Sequence, residues 1–165
     1  MRLSDAAKWA EIVSAVGLVI SLVYVGVQVT DNTSATRSAT ASNASTEFID
    51  WYTHVSSDPA LMDVWLRGVT EPESLDDQEE LRFIFLLHIV MLQFQNNYYL
   101  VEEGTLDPKM LDSINNTLAA IRGTPGFELY WPLRKDLLYP EYRAFVEKLM
   151  FRPGGQPNPS YRTDR

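Results

Sequence analysis

Nineteen consecutive residues near the N-terminus, 12–30, carry no formal charge and are rich in Val, Ile and Leu. At about 1.5 Å per helical residue they extend about 28 Å, close to the ~30 Å hydrocarbon core of a bilayer. Trp9 lies where an interfacial aromatic would anchor one end. The run is longer than the apolar region of a signal peptide, and the nearest Ala-x-Ala, 39–41, lies well beyond its end. These features predict an uncleaved signal-anchor, that is, a single transmembrane helix whose partner is the lipid bilayer.

The orientation of this helix follows from the basic residues on either side of it. Arg2 and Lys8 precede the run, whereas Arg37 lies close beyond it. Because positive charges concentrate in the cytoplasm, the N-terminus is predicted to be cytoplasmic and the rest of the chain to lie on the other side.

Small and polar residues of the run recur in alternating steps of four and three, which places them on one side of a helix. We call this set the seam: Ala10, Ser14, Gly17, Ser21, Tyr24 and Gln28. The opposite side carries Ile and Val and suits lipid. Small residues allow helices to approach closely, and Ser or Gln can hydrogen-bond across the contact, so the seam predicts a homo-oligomer interface. The alternative is that Ser14, Ser21, Tyr24 and Gln28 face the shared axis of an oligomeric channel or membrane sensor.

Residues 31–57 begin with a stretch of Ser, Thr, Asn and Ala that is typical of a flexible linker. No Gly or Pro occurs between Gly26 and Pro59, however, so nothing in the sequence interrupts a helix. Both interpretations stay open, and a transmembrane helix that extends beyond the membrane is favoured.

Residues 58–151 are predicted to form a small helical bundle, because caps, prolines and glycines divide them into helices and no strand alternation is sustained. The predicted helices run from 59 to near 68, from 74 or 76 to about 103, over 108–123, over 125–131, and from about 140 to 151. The apolar stretch 83–92 should form the centre of the bundle, surrounded by Trp51, Trp65, Leu66, Phe127, Trp131, Phe145 and Leu149. Residues 152–165 are rich in Pro and Gly and are predicted to be a disordered tail. The fold class is therefore all-α.

The composition excludes several kinds of chemistry. The chain has no Cys, two His and a formal net charge of −8, which leaves no thiolate metal site and makes nucleic-acid binding unfavourable. His54 has no second imidazole near it in sequence, and a catalytic signature would also require a nucleophile or a metal. The carboxylates between Glu71 and Glu80 suit the start of a helix, since acidic groups favour its dipole. We therefore expect no catalytic residues, no metal and no cofactor.

Polar side chains crowd the second half of the predicted central helix, from Gln93 to Tyr99. A helix cannot turn all of them outward, so some must point inward and find partners. His88, Gln95, Asn96 and Tyr99 are the candidates for a buried polar network or for the lining of a small pocket. A membrane-tethered enzyme that uses this region is the less favoured alternative.

Several motifs resemble those of a group of bacterial proteins that carry an N-terminal membrane helix and have no known activity. They are Glu11-Ile12-Val13, Gly17, the segment 21–25, Gln28-Val29, Asn32-Thr33, the segment 58–61, the segment 65–68, Asn97-Tyr98-Tyr99 with Gly104, and the segment 140–146. The resemblance implies a bacterial membrane protein and supplies no catalytic residues. With the charge distribution, it implies the inner membrane as the location and the periplasm as the side of the body.

These observations together predict a single-pass membrane protein that is not an enzyme and that acts by self-assembly or by binding a partner. Another membrane protein is the alternative partner to its own copies.

Overall fold

The structure, a computed structural model, describes the backbone of residues 3–151 and the side chains of residues 8–113 and 115–151. The predicted tail 152–165 and the orienting Arg2 lie outside the described residues. Every regular element within 3–151 is helical, which confirms the all-α prediction. The helices are α1 (Leu3–Ser57), α2 (Pro59–Thr70), α3 (Asp77–Glu102), α4 (Pro108–Ala119), α5 (Pro125–Arg134) and α6 (Pro140–Met150), with 3-10 turns at Pro72–Ser74 and Lys135–Leu137.

Helix α1 continues through the polar stretch, so residues 31–57 are helical and not a linker. The hydroxyl groups of this stretch find acceptors within the helix. Ser45 Oγ donates to the Ala41 carbonyl at 3.0 Å, and Thr46 Oγ1 donates to the Ser42 carbonyl at 2.9 Å. Such bonds to the preceding turn keep the hydroxyls from competing for the helix's own amide groups.

The chain divides into two compact units, with the boundary between Ala39 and Thr40. In the first unit, every side chain described from Lys8 to Ala39 is exposed, including the apolar ones of the run 12–30. This helix is long and apolar enough to cross a membrane, and none of its most apolar stretch is buried. In the core helix of a soluble protein, most of such an apolar stretch would be buried.

The second unit begins at Thr40, earlier than the predicted boundary at residue 58. The reason is that the end of α1 contributes to its core: Val55 is buried, and Phe48 and Trp51 pack against the buried residues. Trp51 meets Trp65 of α2 edge to face, with ring centroids 4.9 Å apart. The last turns of α1 therefore belong to the bundle.

Helix α3 supplies the centre of the bundle, as predicted from its apolar stretch. Its innermost side chains, Phe83, Leu87, Met91 and Phe94, are fully buried. Of the residues expected around it, all but one lie in the core or pack against it. The exception is Leu66, which is 41% exposed, because its neighbours Trp65 and Val69 occupy the inward side of α2.

Helix α2 ends at Thr70, two residues beyond Gly68, near which its end was predicted. Gly68 is buried, and a Cβ atom added to it would collide with the Phe83 ring, coming within 2.9 Å of Cε2. Gly126 of α5 is equally confined, because its Cβ would lie 2.8 Å from Val69 Cα and closer still to the Gly68 carbonyl. Gly68 thus lies close to the predicted helix end and is also a point of close contact between helices, a role that was not predicted.

The acidic stretch before α3 has a structural role, as expected. Asp76 caps the helix by accepting from the Gln78 and Glu79 amides at 2.9 Å, and Glu79 accepts in turn from the Asp76 amide at 3.2 Å. Both Glu79 oxygens also accept from Arg67 of α2, at 3.0 and 2.7 Å. This paired contact holds the pKa of Glu79 below its usual value and raises that of Arg67.

The remaining helix ends differ modestly from prediction. Helix α4 ends at Ala119, before the predicted Gly123, which lies in a turn with φ of +66°. Helix α5 extends to Arg134, past the predicted Trp131, although it contains Pro132.

Candidate functional site

All six residues of the seam lie exposed on α1. Two pairs within it are joined by hydrogen bonds one turn apart. Ser21 Oγ donates to the Gly17 carbonyl at 2.9 Å, and Gln28 Nε2 donates to the Tyr24 hydroxyl at 3.1 Å. These contacts give some of the polar side chains hydrogen-bond partners within the helix. In lipid such partners are required, because no water is available to replace them.

The Tyr24–Gln28 pair retains unused hydrogen-bonding groups. Gln28 keeps its carbonyl oxygen and one amide hydrogen, and the Tyr24 hydroxyl, which accepts from Gln28, keeps its own hydrogen. Both side chains are exposed. The pair can therefore hydrogen-bond to a neighbouring molecule without breaking its own contact.

His88 was predicted in the polar network and is half-buried, with its Nδ1 atom 2.7 Å from the Tyr130 hydroxyl of α5. Burial lowers the pKa of His88, and the nearby Arg134 charge adds to this effect. Burial also raises the pKa of Tyr130. A neutral imidazole and a protonated phenol thus share one hydrogen bond that joins α3 to α5, which is a structural role.

Acidification should destabilise the second unit through His88. Its pKa is lower in the folded than in the unfolded chain, so as the pH falls past about 6.5 the unfolded chain takes up the proton first. The stability that neutral His88 provides is complete above that pH and decreases below it. Thermal melts can be monitored by tryptophan fluorescence at pH 7.5 and at pH 5.5. The melting temperature should be lower at pH 5.5 both for the wild type and for His54→Gln, which alters an exposed histidine. If His88→Gln shows the same difference as the wild type, this assignment is wrong.

The other three candidates are placed differently from one another. Gln95 is buried, at 8% exposure, and its Oε1 atom accepts from the Tyr139 backbone amide at 2.7 Å. Asn96 and Tyr99 are exposed, which corrects the expectation that they join a buried network. They point away from the core because Phe94, Gln95 and Asn97 occupy the inward side of α3. The structure does bring Gln95, Asn96 and Tyr99 together in the lining of one groove, whereas His88 does not contribute to it.

This groove, which we call the tyrosine groove, has a volume of about 780 Å³. The end of α3 forms one side, and Tyr139 with the first turn of α6 forms the other. Its lining consists of four tyrosines, three glutamates and two amides: Tyr98, Tyr99, Tyr139, Tyr142, Glu102, Glu103, Glu141, Gln95 and Asn96. The volume lies within the range of small-ligand sites, about 300–1,000 Å³.

The groove carries an uncompensated negative charge. No Lys or Arg is among the described residues that line it, and none of its three glutamates forms an ion pair within the described chain. Burial raises the pKa of Tyr98, and the charges of Glu102 and Glu141 raise it further. Two carboxylates from different helices therefore act on the same phenol.

The position of two of these glutamates is electrostatically unfavourable for the helix itself. Glu102 and Glu103 lie at the C-terminal end of α3, whose last turn contains no basic residue. Carboxylates there oppose the helix dipole, at about 0.3–1 kcal/mol each. Helix stability therefore gives no reason for their presence.

Three polar residues near the groove or in the core could not be identified from the sequence. Asn97 is fully buried, and its carboxamide has no hydrogen-bond partner in the described chain. Tyr139 and Glu141 were not predicted to contribute to a site, because they lie about 40 residues beyond Gln95 in the sequence. Only the excess of tyrosine and glutamate near both segments could have suggested the groove.

Groups of three or more His, Asp or Glu that could hold a metal ion are not found among the described residues. Comparison with known proteins gives no further guide: no family model matches the chain, and no curated protein or solved structure is significantly similar to it.

Proposed function

We propose that this chain is a single-pass protein of a bacterial inner membrane that acts by assembling with copies of itself, or with another membrane protein, and not by catalysis. The observation that carries the proposal is the Tyr24–Gln28 pair, which lies exposed within the charge-free run 12–30 and keeps unused hydrogen-bonding groups. Such groups are costly in hydrocarbon unless they find partners. A second helix that presents the same seam supplies them.

The small residues of the seam support the same proposal. Ala10, Ser14, Gly17 and Ser21 present little bulk, and a Cβ atom added to Gly17 would meet nothing within 4 Å in the chain. Since lipid offers no hydrophobic drive for association, helices in membranes associate by close packing and by hydrogen bonds between them. A seam of small residues with Tyr24 and Gln28 at one end provides both.

The charge of the rest of the chain favours the membrane helix as the main site of assembly. Residues 31–151 contain nine basic and nineteen acidic residues, so adjacent copies repel one another there. At physiological ionic strength this repulsion is screened over about 8 Å. Contacts within the bilayer are little affected by salt, so association through the seam should persist when the salt concentration changes.

Replacing Gly17 with Leu should disrupt the assembly, because the side chain would hold the backbones apart. Separated backbones would also lose the hydrogen bonds of the seam to the neighbouring helix, which contribute about 1–2 kcal/mol in membranes, so the association constant should fall roughly tenfold. Chemical cross-linking of the full chain in membranes would measure the change. Val19→Leu is the matched control, since Val19 lies on the opposite side of the helix and should tolerate the same residue. Equal cross-linking of the two variants would show that the seam is not the interface.

For the orientation, we propose that the second unit is periplasmic, because Arg2 and Lys8 outweigh Arg37. A reporter enzyme active only in the periplasm, fused after Phe151, should therefore be active. A reporter active only in the cytoplasm, fused at the same position, should be silent. The reverse pattern would place the second unit in the cytoplasm.

A further inference from the structure

We infer that the tyrosine groove is a docking site for an extended, cationic peptide segment of a partner protein, one that presents Arg or Lys side chains. This inference deepens the partner-binding part of the proposed function, on which it rests. It does not involve the seam, since every residue of the groove lies in the second unit.

The charge of the groove selects for a cation. Glu102 and Glu103 lie at the negative end of α3, and Glu141 faces them from α6. A cation bound between the two helices would interact favourably with all three carboxylates and would offset their repulsion. Arg143, a cation near the groove in sequence, is ion-paired with Asp136 at 2.5 Å and does not line the groove.

The walls of the groove suit a guanidinium or ammonium group with an attached carbon chain. Tyr99 and Tyr139 are exposed, at 51% and 60%, so their rings are open to a ligand. Tyr98 packs on Tyr142 and Phe145, with ring centroids 5.7 and 5.0 Å away, which fixes its position. Cations bind to the faces of such rings, and the carbon stems of Arg and Lys pack against them.

Gln95 indicates that the ligand also offers a hydrogen-bond acceptor. The residue is more than nine-tenths buried and lines the groove. The Tyr139 amide donates to its Oε1 atom, which fixes the carboxamide orientation and leaves Nε2 with no partner among the described residues. A simple polyamine has no acceptor for these N–H groups. A peptide backbone carries carbonyl oxygens along its whole length, so a cationic peptide satisfies both requirements.

Binding can be tested with the full chain in nanodiscs of zwitterionic lipid. The probe is a short fluorescent peptide with blocked ends and three arginines, and its anisotropy reports the Kd at about 0.15 M salt. We expect saturable binding, and about tenfold weaker binding for the double variant Glu102→Gln with Glu141→Gln, since each exposed ion pair contributes a few-fold. Tyr99→Ala should weaken binding about threefold through the lost ring.

The matched control is Glu128→Gln with Glu147→Gln, which removes the same charge from two exposed glutamates outside the groove and should bind the peptide within about twofold of the wild type. Circular dichroism would establish that both double variants are folded. If both double variants weakened peptide binding equally, the effect would be one of net charge alone and the inference would be overturned. A linear triamine that binds as tightly as the peptide would also overturn it, because it would leave no role for Gln95. Since the seam variant Gly17→Leu should still bind the peptide, failure of self-assembly and failure of the groove are distinguishable.

Discussion

Gly126→Ala is expected to unfold the second unit of the protein, or to lower its free energy of unfolding by about 4 kcal/mol. The added methyl would lie 2.8 Å from Val69 Cα and nearer still to the Gly68 carbonyl. These are backbone atoms, which cannot rotate out of the way as a side chain can. Relief requires α5 to move away from α2, which would expose Phe127 and Trp131 in the core. Since a domain's stability is typically about 5–15 kcal/mol, this loss is a large part of the total.

The effect can be measured by the tryptophan emission of the full chain on heating, because Trp65 and Trp131 are buried and report on the core. Gly104→Ala is the informative control. Gly104 has φ of +70° and open space around it, so its substitution costs only the strain of a left-handed residue, about 1 kcal/mol. A melting temperature for Gly126→Ala at or above that of Gly104→Ala would mean that the helices are not in close contact at this point.

The contrast between these two glycines shows what the sequence could and could not predict. Gly104 was expected to end the central helix, and it does so, because local backbone geometry decides a helix end. The starts of α2, α4 and α5 were predicted for the same reason, since each has a polar cap followed by proline at the first position. The packing role of Gly68 was not predicted, because it depends on Phe83 and Gly126, which are distant in the sequence.

In the candidate site too, the features set by local sequence could be predicted, and those set by packing between helices could not. The sequence established that some of the polar side chains between Gln93 and Tyr99 must point inward, but not which ones. That choice depends on the rotation of α3 against its neighbours, which buried Gln95 and Asn97 and left Asn96 and Tyr99 exposed. The tyrosine groove also needs Tyr139 and Glu141, which only the packing of α6 brings to the end of α3.

Two arginines in the apolar run, Val19→Arg with Val23→Arg, are expected to abolish stable insertion into the membrane. An arginine near the centre of a membrane helix costs about 2.5–3.5 kcal/mol, so the pair costs about 5–7 kcal/mol. Both positions lie deep in the run 12–30, one turn apart, on the side opposite the seam. Pairing of seam residues with a neighbouring copy therefore cannot shield the new charges from lipid. Alkaline carbonate should release the variant, whereas it should leave the wild type in the membrane pellet.

The control for this experiment is Asn32→Arg with Thr36→Arg, which adds the same two charges one turn apart beyond the end of the run. Both side chains are exposed on the same helix, so a general effect of charge on α1 would appear in either variant. Only the first variant places the charges at the depth of the hydrocarbon, because the run extends about 28 Å and Asn32 lies two residues beyond its last residue. The control chain should stay in the pellet. Release of both variants, or of neither, would mean that residues 12–30 do not hold the protein in the bilayer.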